Sequence, residues 1–211
     1  MRNTVYLLTV LFCGFWAGPT AKAAPSLCGS VSGNLVANCG FETGDLTGWT
    51  ASPTGYNGIL YGVDAVDAYS GTYGAYLGGF GTAAMFSQSL ATTSNTRYTI
   101  SFYLAHPDNT ISPYNNSFSV SFGGRLLYAQ INGAYSYQPI TLYGLASSSL
   151  STLQFSATDP NFYFSLDDVT VTAGVPEPAS LALAVPGLAL LLFVHLRRRL
   201  GKLPGVGHDA V

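Results

Sequence analysis

Few side chains in this chain have the type and spacing for covalent or acid–base chemistry. His106 is the sole histidine between residues 24 and 174, placed at a strand end before Pro107-Asp108. A nucleophile–base pair would have to run through it, and neither a Gly-x-Ser-x-Gly elbow nor zinc-ligand spacing accompanies it. It is expected to be a solvated loop histidine. Carboxylates pair as Asp64/Asp67 and Asp167/Asp168, the residue types a glycosidase needs, but neither pair lies in a recognisable catalytic context. The expectation is a protein that is not an enzyme.

Binding is better provided for. Tyr56, Tyr61, Tyr69, Tyr114, Tyr135 and Tyr137 lie in or beside loops, where a binding face recruits residues, and a tyrosine ring stacks on sugar C–H groups while its hydroxyl keeps a hydrogen bond. Taken singly, each reads first as an ordinary half-buried strand or turn residue. Trp49, after a Gly-containing turn, reads as a plug of the core. Residues 24–174 hold Glu42, Asp45, Asp64, Asp67, Asp108, Asp159, Asp167 and Asp168 against Arg97 and Arg125, a net charge of −6. Phosphate backbones are repelled by such a surface, so nucleic acid is excluded as a partner.

The ends of the chain carry targeting signals. Met1-Arg2-Asn3, an apolar run from Val5 to Ala17 and Thr20-Ala21-Lys22-Ala23-Ala24 match a secretory signal peptide over residues 1–23, with an uncleaved anchor as the alternative. Cys13 leaves with that segment, and Cys28 and Cys39 remain. In an exported chain they read as one disulfide, worth about 2–3 kcal/mol on the chain-entropy account, against two free thiols. At the other end, residues 181–196 are apolar but for His195, are interrupted by Pro186 and lead into Arg197-Arg198-Arg199. A helix of that length rises about 24 Å, a short transmembrane span. The arginines mark a cytoplasmic tail, residues 197–211, and put residues 24–174 outside.

Between these ends the pattern is that of strands, over 34–38, 58–66, 75–77, 84–91, 97–105, 117–122, 126–131, 138–143, 151–157 and 162–172. Tyr98 to Leu104 and Phe118 to Phe122 alternate large apolar with small polar residues, and no helical period appears. Short, evenly spaced strands with Gly, Ser, Asn and Asp between them indicate an all-β, antiparallel sandwich as one domain. Residues 175–180 are too rich in proline to extend the last strand and read as a hinge.

Two resemblances follow from these residues. Val175-Pro176-Glu177-Pro178-Ala179-Ser180, then the apolar run and the arginine cluster, resembles the Pro-Glu-Pro (PEP-CTERM) sorting signal of Gram-negative bacteria that have an exosortase. That implies a membrane-anchored intermediate, an exosortase-type processing partner, and release to the cell surface or extracellular matrix. Residues 34–172 resemble the galactose-binding-like jelly rolls of carbohydrate-binding modules, through Asn34 to Glu42, Gly48-Trp49, Ser70 to Leu77 and Leu166 to Val171. The resemblance implies a jelly-roll sandwich and a structural calcium ion near Glu42, Thr43, Gly71, Asp167 and Asp168. Calcium takes six to eight hard oxygens, and Asp167, on the side of Val169 and Val171, would need a cation or donors to be buried there. Asp168 would then face the other way as a bystander; the alternative is that both acids accept backbone N–H bonds at a solvated edge. The expected function is a structural or adhesive surface protein, with recognition of an extracellular polysaccharide as the alternative.

Overall fold

The computed structural model describes residues 25–53, 58–106 and 115–174. The signal segment, the sorting motif, the apolar run, the arginine cluster, Tyr56 and Tyr114 lie outside these residues. Among the described residues no helix is long and apolar enough to cross a membrane.

Ten strands are described: β1 (Thr50–Ser52), β2 (Ile59–Asp64), β3 (Gly74–Gly79), β4 (Ala84–Ala91), β5 (Arg97–His106), β6 (Ser117–Phe122), β7 (Arg125–Ile131), β8 (Tyr135–Leu145), β9 (Leu150–Thr158) and β10 (Phe164–Ala173). They form two five-stranded sheets, ordered β1-β4-β9-β6-β7 and β2-β3-β10-β5-β8. Antiparallel pairing joins β4 to β9, with Phe86 opposite Phe155, and β5 to β8, with Ile100 opposite Leu142. Only the β2–β3 and β6–β7 connections are hairpins within one sheet. Every other connection crosses to the opposite sheet, the wrapping expected of a jelly roll.

The alternation read from sequence sets the core. Along β6 each second residue is buried, Phe118, Val120 and Phe122, and along β5 the inward set is Tyr98, Ile100, Phe102 and Leu104. Six phenylalanines on facing strands (Phe86, Phe102, Phe118, Phe122, Phe155 and Phe164) are essentially fully buried, each contributing about 1.5–3 kcal/mol of apolar burial. Trp49 stacks on Phe41 at 5.6 Å and joins the same cluster.

One expected strand is absent: residues 34–36 have no regular structure and 37–38 lie in a turn. Side chains satisfy the backbone there in place of a ladder. Asn34 Oδ1 accepts from Val36 N and Val171 N, while Gln88 accepts from Ala37 N at 2.8 Å and donates to Ala37 O at 3.1 Å. Asn38 and Phe41 take positive φ, 46° and 56°, which interrupts a regular extended run. Cys28 is bonded to Cys39, pinning this segment, with 6.0 Å between their Cα atoms.

Candidate functional site

Sheet two has one face on the core and one facing out. On β8 the residues opposite the core positions of β5 point inward, which sends Tyr137, Pro139, Thr141 and Tyr143 outward. On β10, Phe164 and Leu166 are core residues, so Ser165 and Asp167 point outward. Leu166 and Val169 both reach the core although three positions apart, which strict alternation forbids. Asp168, at φ 51°, takes up the extra residue as a bulge. The bulge reverses the sequence expectation for this strand: Asp167 lies on the outer face, opposite Val169 and Val171. Asp168 is no bystander, being 3% exposed with three donors on its carboxylate.

At the end of the sheet where β8 and β10 begin, the outer face carries a cleft of about 650 Å³. Its lining includes Asp67, Tyr135, Tyr137, Phe162, Tyr163 and Ser165. The turn holding Asp67 is built by Asp64, whose Oδ1 accepts from Val66 N and Asp67 N at 2.8 and 3.0 Å. Tyr137 donates its hydroxyl to Asp67 O, and Ser165 donates to Asp67 Oδ1. Gly78 lets the opposite wall lie flat on β3, since a Cβ there would come within 2.5 Å of Phe162 O. Phe162 and Tyr163 are thereby presented as stacked rings, 4.5 Å apart, with Tyr76 against Tyr163 at 5.0 Å.

Asp67, which lines the cleft, has its Oδ2 buried with no hydrogen-bond partner among the described residues; the Tyr135 hydroxyl is unpartnered as well, but that ring packs on the core near Tyr128 of the opposite sheet. Leaving such a group unmatched costs about 1–3 kcal/mol, so Asp67 Oδ2 marks a place where a ligand's polar atom is wanted. Burial raises the Asp67 carboxyl to about 6, opposed by the Ser165 hydroxyl and reinforced by nearby Asp64. Asp167 is pushed up to about 7, first by burial and also by Asp168, against the lowering effect of the Ser70, Tyr69 and Asp168 N–H groups. The Tyr137 and Tyr135 hydroxyls are raised as well, chiefly by burial. Among the described residues no arginine or lysine lines the cleft.

Behind it lies His106, fully buried at the end of β5, where a solvated loop residue was expected. Nε2 meets Asp159 Oδ2 at 2.6 Å and Nδ1 faces Gly133 O. Gly133 precedes the wall residues Ala134, Tyr135 and Ser136. Asp159 Oδ1 accepts from Asn161 N and Phe162 N, both at 3.0 Å, shaping the opposite wall. One imidazole therefore ties both walls together. It touches no open space, which leaves it a structural part.

The side chains expected from sequence to hold calcium are each engaged in hydrogen bonds. Glu42 accepts from Thr72 N at 3.0 Å and Tyr73 N at 3.2 Å. Asp167 accepts from Tyr69 N, Ser70 N and Asp168 N, at 2.8, 3.0 and 2.6 Å. Asp168 accepts from Ser26 Oγ, Cys28 N and Ser70 Oγ. The Thr43 hydroxyl donates to Asp45 Oδ1 at 2.8 Å. Gly71, at φ 71°, leaves room for Glu42, whose Oε1 would lie 2.0 Å from a Cβ. Among the described residues no group of three His, Cys, Asp or Glu is placed to hold a metal.

Of the tyrosines singled out by sequence, Tyr135 and Tyr137 line the cleft, and Tyr69 stacks on Tyr103 at 3.7 Å and lies 5.2 Å from Tyr137. Tyr61 does not belong with them: it faces inward, its ring edge-on to Phe86 at 5.9 Å. Sequence reasoning missed Tyr163 and Phe162 and gave Asp67 no binding role. The signal for Tyr163 was its phase, one position off the inward Phe164.

No family model and no curated protein sequence matches the chain. Among solved structures it is similar to a fragment of endo-1,4-β-D-xylanase 10B of Clostridium thermocellum, its CBM22-1 and GH10 modules complexed with xylohexaose. The TM-score is 0.52 at 16% identity, covering 67% of this chain and 29% of that one. The K1 cleaved adhesin domain of Lys-gingipain from Porphyromonas gingivalis W83 gives a TM-score of 0.51 at 16% identity, covering 64% and 96%. TmCBM61 in complex with β-1,4-galactotriose gives 0.49 at 17% identity, covering 67% and 99%. The chain thus spans less than a third of the xylanase fragment's length. Carbohydrate-binding modules are among its structural neighbours, and what it shares with them is the β-sandwich.

Proposed function

We propose that this chain is a carbohydrate-binding module that takes a neutral glycan into the cleft beside Asp67. The observation that carries the reading is the buried, unpartnered Asp67 Oδ2 in a cleft that Phe162 and Tyr163 also line. A pyranose matches both halves of that surface. Its hydroxyls donate to the carboxylate, while its C–H face lies on a ring. The xylanase fragment of similar fold is a complex with xylohexaose, which makes xylo-oligosaccharides the first ligands to try.

The reading is of binding without a chemical step: His106 is sealed behind the cleft, and incubated xylohexaose should stay intact on chromatography. The proposal includes export and retention by the Pro-Glu-Pro tail, with exosortase-type processing and a surface or matrix location, which rest on the sequence signals alone. Alkaline phosphatase fused after Gly174 should be exported and active; an inactive cytoplasmic fusion refutes that topology.

The binding test is affinity electrophoresis of the full chain through gels of xylan, β-glucan and galactan. One neutral polysaccharide should retard it saturably. Asp67→Asn and Tyr163→Ala should each weaken that retardation by about tenfold or more, the scale of one charge-assisted hydrogen bond or one stacked ring. A wild-type mobility unchanged in every gel overturns the reading.

A further inference from the structure

Arg97 and Arg125 are the only arginine or lysine residues between positions 24 and 174, and the fold brings both to one place. Arg97 opens β5 in sheet two. Arg125 follows the two-residue Gly123-Gly124 turn and opens β7 at the edge of sheet one. They come from different sheets and are 28 positions apart, yet they line the same pocket of about 410 Å³, with Tyr143, Leu126 and Leu145. Neither guanidinium has an ion pair or hydrogen bond among the described residues, although eight acids share this part of the chain. Tyr143 is 63% exposed, and through the Arg97–Leu145 and Thr99–Tyr143 pairs it is a diagonal neighbour of Arg97 on the outer face.

We propose that this pocket is a second, anionic-sugar site: it holds the carboxylate of a uronic acid residue in an acidic polysaccharide. Each guanidinium offers a planar fork matched to a carboxylate, and two forks with an open tyrosine ring between strands suit a charged sugar. A lipid surface would be flat, whereas these side chains converge on a concavity. The acids of the neutral-glycan cleft lie at the opposite end of β8, about 25 Å away at 3.3 Å per residue. The Debye length in physiological salt is about 8 Å, so those acids do not cancel the local field of the two arginines. The site does not depend on the Asp67 cleft and stands or falls separately from it.

The test uses the full chain in affinity gels containing polygalacturonate or its full methyl ester. Wild type should be retarded by the acid form alone, with retardation lost in about 1 M salt, where the Debye length shrinks to about 3 Å. Arg97→Gln/Arg125→Gln should weaken binding to polygalacturonate by about tenfold or more while leaving the melting midpoint, and any neutral-glycan retardation, unchanged. Asp67→Asn should leave polygalacturonate binding intact. Equal retardation by acid and ester overturns the proposal, as does a double variant that binds like wild type. Flotation with phosphatidylglycerol vesicles, without any polygalacturonate retardation, would overturn it in favour of a membrane surface.

Discussion

Replacing His106 with alanine removes the donor facing Asp159 and leaves that carboxylate, 5% exposed, with its Oδ2 bare. Oδ1 keeps the Asn161 and Phe162 N–H groups, so the loss falls on one oxygen of a buried acid. Breaking a buried pair from one side costs about 3–5 kcal/mol. The ring also fills space against Phe164, 4.4 Å between centroids, which adds a cavity penalty on the order of 1 kcal/mol. A total of about 4–6 kcal/mol is a large share of the roughly 5–15 kcal/mol that folded domains possess. Urea unfolding followed by the fluorescence of Trp49 reads this directly. The double variant His106→Leu/Asp159→Asn removes the stranded charge along with its partner, so it should recover at least half of the loss. A single-variant cost below about 1 kcal/mol, or a double variant as unstable as the two single losses added together, would refute the claim that this pair joins the cleft walls.

Other outcomes follow from the same geometry. Asp67 and Asp167 titrate near 6 and 7 when folded, above an ordinary carboxylate, so folding takes up protons. Their stabilising contribution is fully present below about pH 4 and is lost as pH rises through those values, a tenfold change in proton affinity on folding being worth about 1.4 kcal/mol. The melting midpoint should therefore fall from about pH 5 to about pH 8, and Asp67→Asn should flatten that fall; an equal slope in both proteins contradicts the assignment. Calcium should leave the midpoint where chelator leaves it, because the acids near Gly71 already accept N–H bonds; a calcium-dependent rise would show that the loop rearranges into a cage. Gly71→Ala should cost about 1–3 kcal/mol in urea unfolding, since it places a methyl group on Glu42 at a positive φ; an unaffected midpoint would mean the Glu42 strut carries no load.

The sandwich was legible because its strands are amphipathic with period two. Phe118-Ser119-Val120-Ser121-Phe122 announces both a strand and the face it buries, and the buried residues of β6 are the three expected. What was not legible depends on events that break the period. The bulge at Asp168 shifts the phase of β10 by one residue, and alternation alone therefore put Asp167 on the wrong face. Residues 34–38 carry a strand-like composition, but Asn34 and Gln88 satisfy the local backbone through bonds that span 137 and 51 positions of sequence. The same limit applies to the cleft. Tyr135 and Tyr137 were found as loop tyrosines, whereas Asp67 acquires its importance from burial beside Ser165, 98 positions later, which no local pattern encodes.

The most direct measurement of the central claim pairs two readings on one variant. Asp67→Asn removes a buried, unpaired charge, so at about pH 8 it should raise the melting midpoint, and it should at the same time weaken retardation by the neutral polysaccharide that wild type binds. A gain in stability together with a loss of binding is what a residue kept for its ligand shows. If Asp67→Asn binds as well as wild type, or loses binding only because it has lost stability, the cleft is not where this chain recognises a glycan.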